Sequence, residues 1–196
     1  MRQTRILSFS GSIRAGSYNT RLAGLVTKKL ALADAEATWI SLKDYPLPLY
    51  DADLEQDKGV PENAFRLKRL FQAQDGIFIA CPEYNAAMTP ILKNTLDWIS
   101  RANGPGEPAT AAFRRPVFAL GSASPGGFGG MRGLIGTRTV LEVGLGALVL
   151  PRMVSIARAD KAFDTAGELT DEGLSAQLDG LVETLLDHAR RLNAAR

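Results

Sequence analysis

The hydrophobic positions of the chain fall into two alternating kinds of segment. Short apolar runs that suit buried strands cover residues 5–9, 37–41, 76–80, 117–120 and 147–150. Between them lie longer segments whose apolar residues recur at helical spacing: 20–32, 61–71, 90–99, a stretch from the end of a glycine-rich loop to about 143, and 170–192. In the first of these, Leu22, Leu25, Val26, Lys29 and Leu30 mark the period. The run at 76–80 has no polar side chain, as expected of a strand covered by helices on both faces. Pro61 and Pro90 stand where helices begin, a position that tolerates the missing N–H. Pro46 and Pro48 exclude regular structure from 43–51, which reads as a loop presenting aliphatic and aromatic groups. The glycine- and proline-rich stretch 103–109 is short enough for a loop inside one domain. Five strands alternating with helices predict an α/β fold, a doubly wound parallel sheet with helices on both faces, as a single domain over 1–196. On the helix at 91–99, Leu92, Leu96, Trp98 and Ile99 are more apolar surface than one sheet face is expected to cover, which predicts a homodimer or homotetramer.

Composition narrows the function by exclusion. The chain has 196 residues, 45% hydrophobic and 22% charged, with a net charge of +2. That is an ordinary globular balance with room for one core. No block of lysine and arginine suggests a nucleic-acid surface. No apolar run reaches membrane-spanning length, and the N-terminus passes directly into a strand pattern, so a cytoplasmic protein is expected. There is one cysteine, Cys81, and one histidine, His188. Neither an intrachain disulfide nor a Cys/His zinc site can be assembled from these. Catalysis by a Ser–His or Cys–His pair would need His188, which falls in the helical period of 181–192 and reads as an edge position. Cys81 follows an apolar strand and reads as a small packing residue. An enzyme of this composition takes its chemistry from a bound cofactor.

Ligands of doubly wound sheets lie outside the carboxyl ends of the strands, where strand order switches. Three loops leave such ends, and all three are unusual. The first, Gly11-Ser12-Ile13-Arg14-Ala15-Gly16-Ser17-Tyr18-Asn19-Thr20, joins a strand to a helix start. Its glycines admit close approach, the helix N-terminus favours an anion, and Ser12, Ser17, Asn19 and Arg14 add donors and a cation. Ser17 or Asn19 also suits the N-cap. The loop lacks the Gly-Lys-Ser/Thr ending of a nucleotide-hydrolysing P-loop, and Gly11 and Gly16 do not make the dinucleotide fingerprint G-x-G-x-x-G. The second loop, Cys81 to Pro90, carries Pro82, Glu83, Tyr84 and Asn85: an acid, a phenol and an amide at a strand end. The third, Gly121 to Gly130, has five glycines in Gly121-Ser122-Ala123-Ser124-Pro125-Gly126-Gly127-Phe128-Gly129-Gly130.

These motifs resemble those of the NADPH-dependent FMN reductase family, flavodoxin-like flavoproteins that include bacterial quinone and chromate reductases. The likeness rests on Gly-Ser-Ile-Arg-Ala-Gly-Ser-Tyr-Asn at 11–19, Pro-Glu-Tyr-Asn at 82–85, Leu-Lys-Asn-Thr-Leu-Asp-Trp-Ile-Ser-Arg at 92–101 and Ser-Pro-Gly-Gly-Phe-Gly-Gly at 124–130. Leu47-Pro48-Leu49-Tyr50-Asp51-Ala52-Asp53 also resembles a family loop. The resemblance implies that Ser12, Arg14, Ser17, Tyr18 and Asn19 hold the phosphate of FMN. It implies that Glu83, Tyr84 and Asn85 of the Pro82–Asn85 loop line the isoalloxazine, and that Ser124 and Gly126 approach the ring. It also implies a flavodoxin-like five-stranded sheet and electron transfer from NADPH or NADH to a small-molecule acceptor such as a quinone, free flavin, azo dye or metal oxyanion. Family members commonly pair beside the flavin. One departure is visible: the family often has Pro-Gly shortly after Pro-Glu-Tyr-Asn, whereas here Thr89-Pro90 stands one position later. An electron carrier of the flavodoxin kind is the alternative. Such carriers resemble acidic proteins with a differently built phosphate loop, unlike this chain at +2.

Overall fold

The computed structural model describes residues 2–108 and 110–194. Ala109, the last residue of the predicted 103–109 loop, lies outside the described residues. In chain order the elements are β1 (Arg5–Ser10), α1 (Tyr18–Leu32), β2 (Glu36–Ser41), a 3-10 turn (Leu42–Asp44), α2 (Ala52–Lys58), α3 (Glu62–Gln72), β3 (Gly76–Ala80), the two-residue strands β4 (Glu83–Tyr84) and β5 (Ala87–Met88), and α4 (Pro90–Arg101). There follow α5 (Ala111–Arg114), β6 (Val117–Ala123), α6 (Met131–Thr139) ending in a π-helical turn (Val140–Gly144), β7 (Leu148–Ile156), α7 (Ala159–Ala162) and α8 (Glu172–Ala194).

Five strands form one parallel sheet in the order β2-β1-β3-β6-β7, the flavodoxin-like arrangement. The period of two along each strand divides the core. Leu7, Phe9, Ile77, Ile79, Phe118 and Leu120 pack with Leu67, Phe71, Leu92 and Leu96 of α3 and α4. Ile6, Phe78, Val117 and Ala119 face the other way, against Leu22 and Val26 of α1 and Leu181 and Leu185 of α8. Strand order turns back between β1 and β3, so the carboxyl edge of these two strands is the switch point. No helix among the described residues is long and apolar enough to cross a membrane.

The apolar face of α4 does not await a partner. Leu92, Leu96, Trp98 and Ile99 are all buried within this chain. Leu92, Leu96 and Ile99 join the core between the sheet and α3, and the cover over Trp98 is the proline-containing segment 45–50. The Trp98 indole N–H donates to the Pro48 carbonyl at 2.8 Å, and its ring meets that of Tyr50 edge-on at 5.0 Å. Asn94 fixes the same segment, donating to the Pro48 carbonyl (2.8 Å) and accepting from the Tyr50 N–H (2.7 Å). The sequence pattern identified both pieces but not that one covers the other.

Two strands run further than the apolar pattern suggests. β6 continues through the small residues Gly121, Ser122 and Ala123 because all three pair with β7, Gly121 also with β3. β7 extends past Pro151 to Ile156, which is tolerated because β7 is an edge strand. The register is irregular there, between Phe118 and Leu120, and the Arg138 guanidinium donates to the carbonyls of Val149, Leu150 and Pro151 at 3.0–3.3 Å.

Candidate cofactor site

The three unusual loops leave one edge of the sheet together. The ladder continues one residue past the strands: Gly11 N–H donates to the Ala80 carbonyl (2.9 Å), Cys81 N–H to Gly121 (2.7 Å) and Ser124 N–H to Ile156 (3.0 Å). The Thr89 hydroxyl, N-cap of α4, donates to the Gly11 carbonyl at 2.6 Å and ties the second loop to the first. Gly11 allows this approach, since a Cβ there would stand 3.0–3.2 Å from Leu92 and Pro82.

Ser17 is the N-cap of α1; its hydroxyl accepts from the Thr20 N–H, which starts the helix two residues earlier than the apolar period indicates. The N–H groups of Tyr18 and Asn19 then precede the helical ladder and face the loop. The first turn of α1 carries no acidic residue. The Ser12 hydroxyl accepts from the Arg14 N–H, and the Arg14 side chain is exposed. Beneath the turn lies Ser10. The Ser8 hydroxyl donates to Ala23 of α1, and Ser10, two residues on, faces the same side, nearer the helix start. Ser10 Oγ is buried without a partner among the described residues.

Asn19 is more firmly engaged than its motif suggests. Its amide donates to the Ala123 carbonyl at 2.8 Å and accepts the Ala123 N–H at 3.0 Å, joining α1 to the end of β6. Asn19 is buried, and this bridge brings the first and third loops side by side.

In the second loop, β4 and β5 form a hairpin whose two central residues, Asn85 (φ 50°) and Ala86 (φ 64°), both lie in the left-handed region, the geometry of a tight two-residue turn. Tyr84 is half exposed on this hairpin. Glu83 points its carboxylate at α6, where it accepts from the Gly133 N–H at 3.0 Å and from the Arg132 guanidinium, whose Nε is at 2.9 Å. Burial pushes the Glu83 carboxyl up, but the Gly133 N–H and Arg132 together outweigh it and hold the group below the usual carboxylate range. In the third loop, Ser124 Oγ accepts from the Gly126 N–H and the Ser124 carbonyl accepts from Ala159. Gly129, at φ 58°, passes so close to β7 that a Cβ would meet backbone atoms of Ala157, Ile156 and Ser155 at 2.8–3.0 Å.

Between the loops lies one cavity. Ser12, Arg14, Ser17, Tyr18 and Asn19 form one wall; Pro82, Glu83 and Tyr84 form the second; Ala123, Ser124 and Pro125 form the third. Asn85 and Gly126 belong to the same loops but are not among its walls. Ala123 and Pro125 were not singled out from sequence; the signal for Pro125 was its place between Ser124 and Gly126. The two residues most often used as nucleophile and base are engaged elsewhere. Cys81 is buried, and burial pushes its thiol up to about 12. His188 lies on α8 with Nδ1 2.9 Å from the Thr184 carbonyl. Among the described residues, the cavity walls carry donors at one end and no Cys or His side chain to form a nucleophile–base pair.

Residues 4–161 match the model of the NADPH-dependent FMN reductase family. The chain belongs to that family. It is 32% identical over 191 residues to a quinone reductase of Escherichia coli, with 96% of each chain covered. It is 33% identical over 193 residues to an NAD(P)H-dependent FMN reductase of Pseudomonas aeruginosa, again with 96% of each covered. Among solved structures it resembles the flavoenzyme NAD(P)H:(acceptor) oxidoreductase of Paracoccus denitrificans, at 25% identity and a TM-score of 0.74, covering 96% of this chain and 98% of that one. As an FMN reductase family member, the chain carries the cavity at the edge where this fold places its ligands.

Proposed function

We propose that this chain is a single-domain FMN-dependent oxidoreductase that passes electrons from NADPH or NADH to small acceptors, quinones foremost, with free flavins, azo compounds and metal oxyanions as further members of the class. The observation that carries the reading is the convergence of three loops on one cavity at the β1/β3 switch point, with an unblocked helix start on one wall. The relatives named above supply the acceptor class.

The residues fit a flavin mononucleotide. A dianionic phosphate needs a cation, hydroxyl donors and helix N–H groups, and it tolerates no unpaired acid nearby. The first loop offers Arg14, Ser12, Ser17, Tyr18 and Asn19, and Ser10 Oγ is a buried hydroxyl still lacking a partner. The acid of the cavity, Glu83, is already neutralised by Arg132. Pro82, Tyr84 and Asn85 of the second loop, with Ser124 and Gly126 of the third, are the residues assigned to the ring end; Glu83 sits on the same hairpin but turns its carboxylate to Arg132 and Gly133. Bound FMN would supply the redox chemistry, taking two electrons from the nicotinamide and returning them to the acceptor. The protein's part is to bind, orient and exclude water, which suits a chain whose cysteine is buried and whose histidine is on a distant helix. Assembly as a homodimer or homotetramer belongs to the same reading; the exposed Ile13, in the first loop, and Leu49 support it in place of the α4 face.

Equilibrium binding of FMN and riboflavin to the flavin-free protein tests the reading. Tighter binding of FMN is expected, together with NAD(P)H oxidation in the presence of a quinone and parallel double-reciprocal lines. Equal affinity for the two flavins would remove the phosphate from the first loop.

A further inference from the structure

Three contacts in sequence link the second loop to the third. Glu83, on the β4–β5 hairpin next to Tyr84, has a nearly buried side chain whose oxygens take the Gly133 N–H and the Arg132 guanidinium. Backbone packing holds this junction tight: a Cβ on Gly133 would stand 3.1 Å from Glu83 Cβ and 3.3 Å from the Ala87 carbonyl oxygen. Arg132 in turn lies over the Phe128 ring, with Cζ 4.8 Å from its centroid. Phe128 is 67% exposed and stands among Gly126, Gly127, Gly129 and Gly130, three residues beyond the cavity wall at Pro125. An exposed ring in such a segment has little backbone stiffness to place it, and a guanidinium over its face supplies a fixed contact.

We propose that Glu83 and Arg132 are positioning residues: their ion pair locks the β4–β5 hairpin to the start of α6 and sets Phe128, so that the two loops flanking the cavity move as one body and Phe128 presents the apolar surface that receives a flat, aromatic acceptor. The acceptor clause rests on the oxidoreductase reading; the coupling of the loops does not. Glu83 reaches the ligand through Arg132 and the loop it holds, and Arg132 is the partner that leaves the carboxylate no free charge to offer.

Hydrogen exchange on the full-length, flavin-free protein separates the two clauses. Glu83→Gln and Arg132→Ala should each speed exchange of backbone amides in both 83–88 and 126–133, by roughly threefold or more, with 76–80 of the core strand unchanged. The double variant should add little to either single change, because each already removes the pair. Loosening confined to the segment that carries the substitution, or fully additive effects, would overturn the coupling. Phe128→Ala, at an exposed position, should raise KM for a naphthoquinone roughly three- to tenfold while leaving KM for ferricyanide and the affinity for FMN unchanged. An unchanged naphthoquinone KM would overturn the role of Phe128. If the unaltered protein turns over no acceptor, the oxidoreductase reading fails, and the exchange result still decides the coupling.

Discussion

Replacing Asn19 by Ala removes the amide that joins the start of α1 to the end of β6. Two hydrogen bonds are lost, 2.8 and 3.0 Å long, both to the backbone of Ala123 and both buried. Each is worth about 1 kcal/mol net, and a buried backbone group left without a partner costs about 1–3 kcal/mol more. Water admitted from the cavity would satisfy part of that, so the expected loss is about 2–4 kcal/mol, a large share of the roughly 5–15 kcal/mol that holds a domain folded. The assay is urea unfolding of the flavin-free protein followed by far-UV circular dichroism. With a denaturant slope of about 2 kcal/mol/M, the midpoint should fall by about 1–2 M with the slope unchanged. Asn19→Asp keeps the acceptor but turns a carboxylate oxygen towards the Ala123 carbonyl, so it should not rescue the loss. A residue whose whole role is to touch a bound phosphate would leave the flavin-free protein unaffected. A midpoint shift below about 0.2 M would therefore refute the anchoring role.

Arg14→Ala should weaken FMN binding by about 1.5–3 kcal/mol, if the proposed phosphate contact holds, without shifting the unfolding midpoint of the flavin-free protein, since Arg14 is exposed; an unchanged dissociation constant in a fluorescence titration would return it to the solvated surface. Cys81 should resist alkylation by iodoacetamide at pH 8 in the native protein and react at once in denaturant, because its thiol is buried and pushed up to about 12; native labelling followed by mass spectrometry would refute this. Glu83 has a depressed carboxyl in the folded state, so its contribution to stability is complete above the unfolded value of about 4.3 and is lost as pH falls through the folded one. Urea midpoints measured from pH 7 down to pH 3 should fall less steeply for Glu83→Gln than for the unaltered chain below about pH 4.5; parallel curves would contradict the linkage.

The architecture was legible because it depends on patterns local to each segment. The apolar runs at 6–9 and 76–80 and the helical period in 20–32 survive into the structure as strands buried on both faces of one sheet and the helix against it. Elements of four to seven residues, α2, α5 and α7, were not legible, since so few positions cannot show a period. The site was legible at the level of loops and less so at the level of atoms. Ser12, Arg14 and Ser17 have their chemistry written in their own neighbourhood. The carboxylate of Glu83 is set by Arg132, 49 residues away, and the amide of Asn19 by Ala123, 104 residues away. The same limit misled the reading of α4, because the partner that buries Trp98 is the loop at Pro48, 50 residues back, and not a second chain.

These long-range pairings give the cavity a direction. At the α1 end, Arg14, the hydroxyls of Ser12 and Ser17 and the leading N–H groups of the helix present donors and positive charge with no acid in the first turn. At the hairpin end, the acid is already matched by Arg132 and Gly133, and what remains is the ring of Tyr84, the ring of Pro82 and the backbone of Ser124. A ligand with an anionic tail and a neutral planar head has one favourable orientation in such a field, because reversing it would leave the helix start and Arg14 unused. Had Glu83 faced the cavity as a free carboxylate, the two ends would compete for the cation of Arg14, and the phosphate would lose much of its advantage over a hydroxyl. On the proposed reading, the pairing of Glu83 with Arg132 is thus a condition for preferring FMN to riboflavin, although neither residue belongs to the phosphate loop.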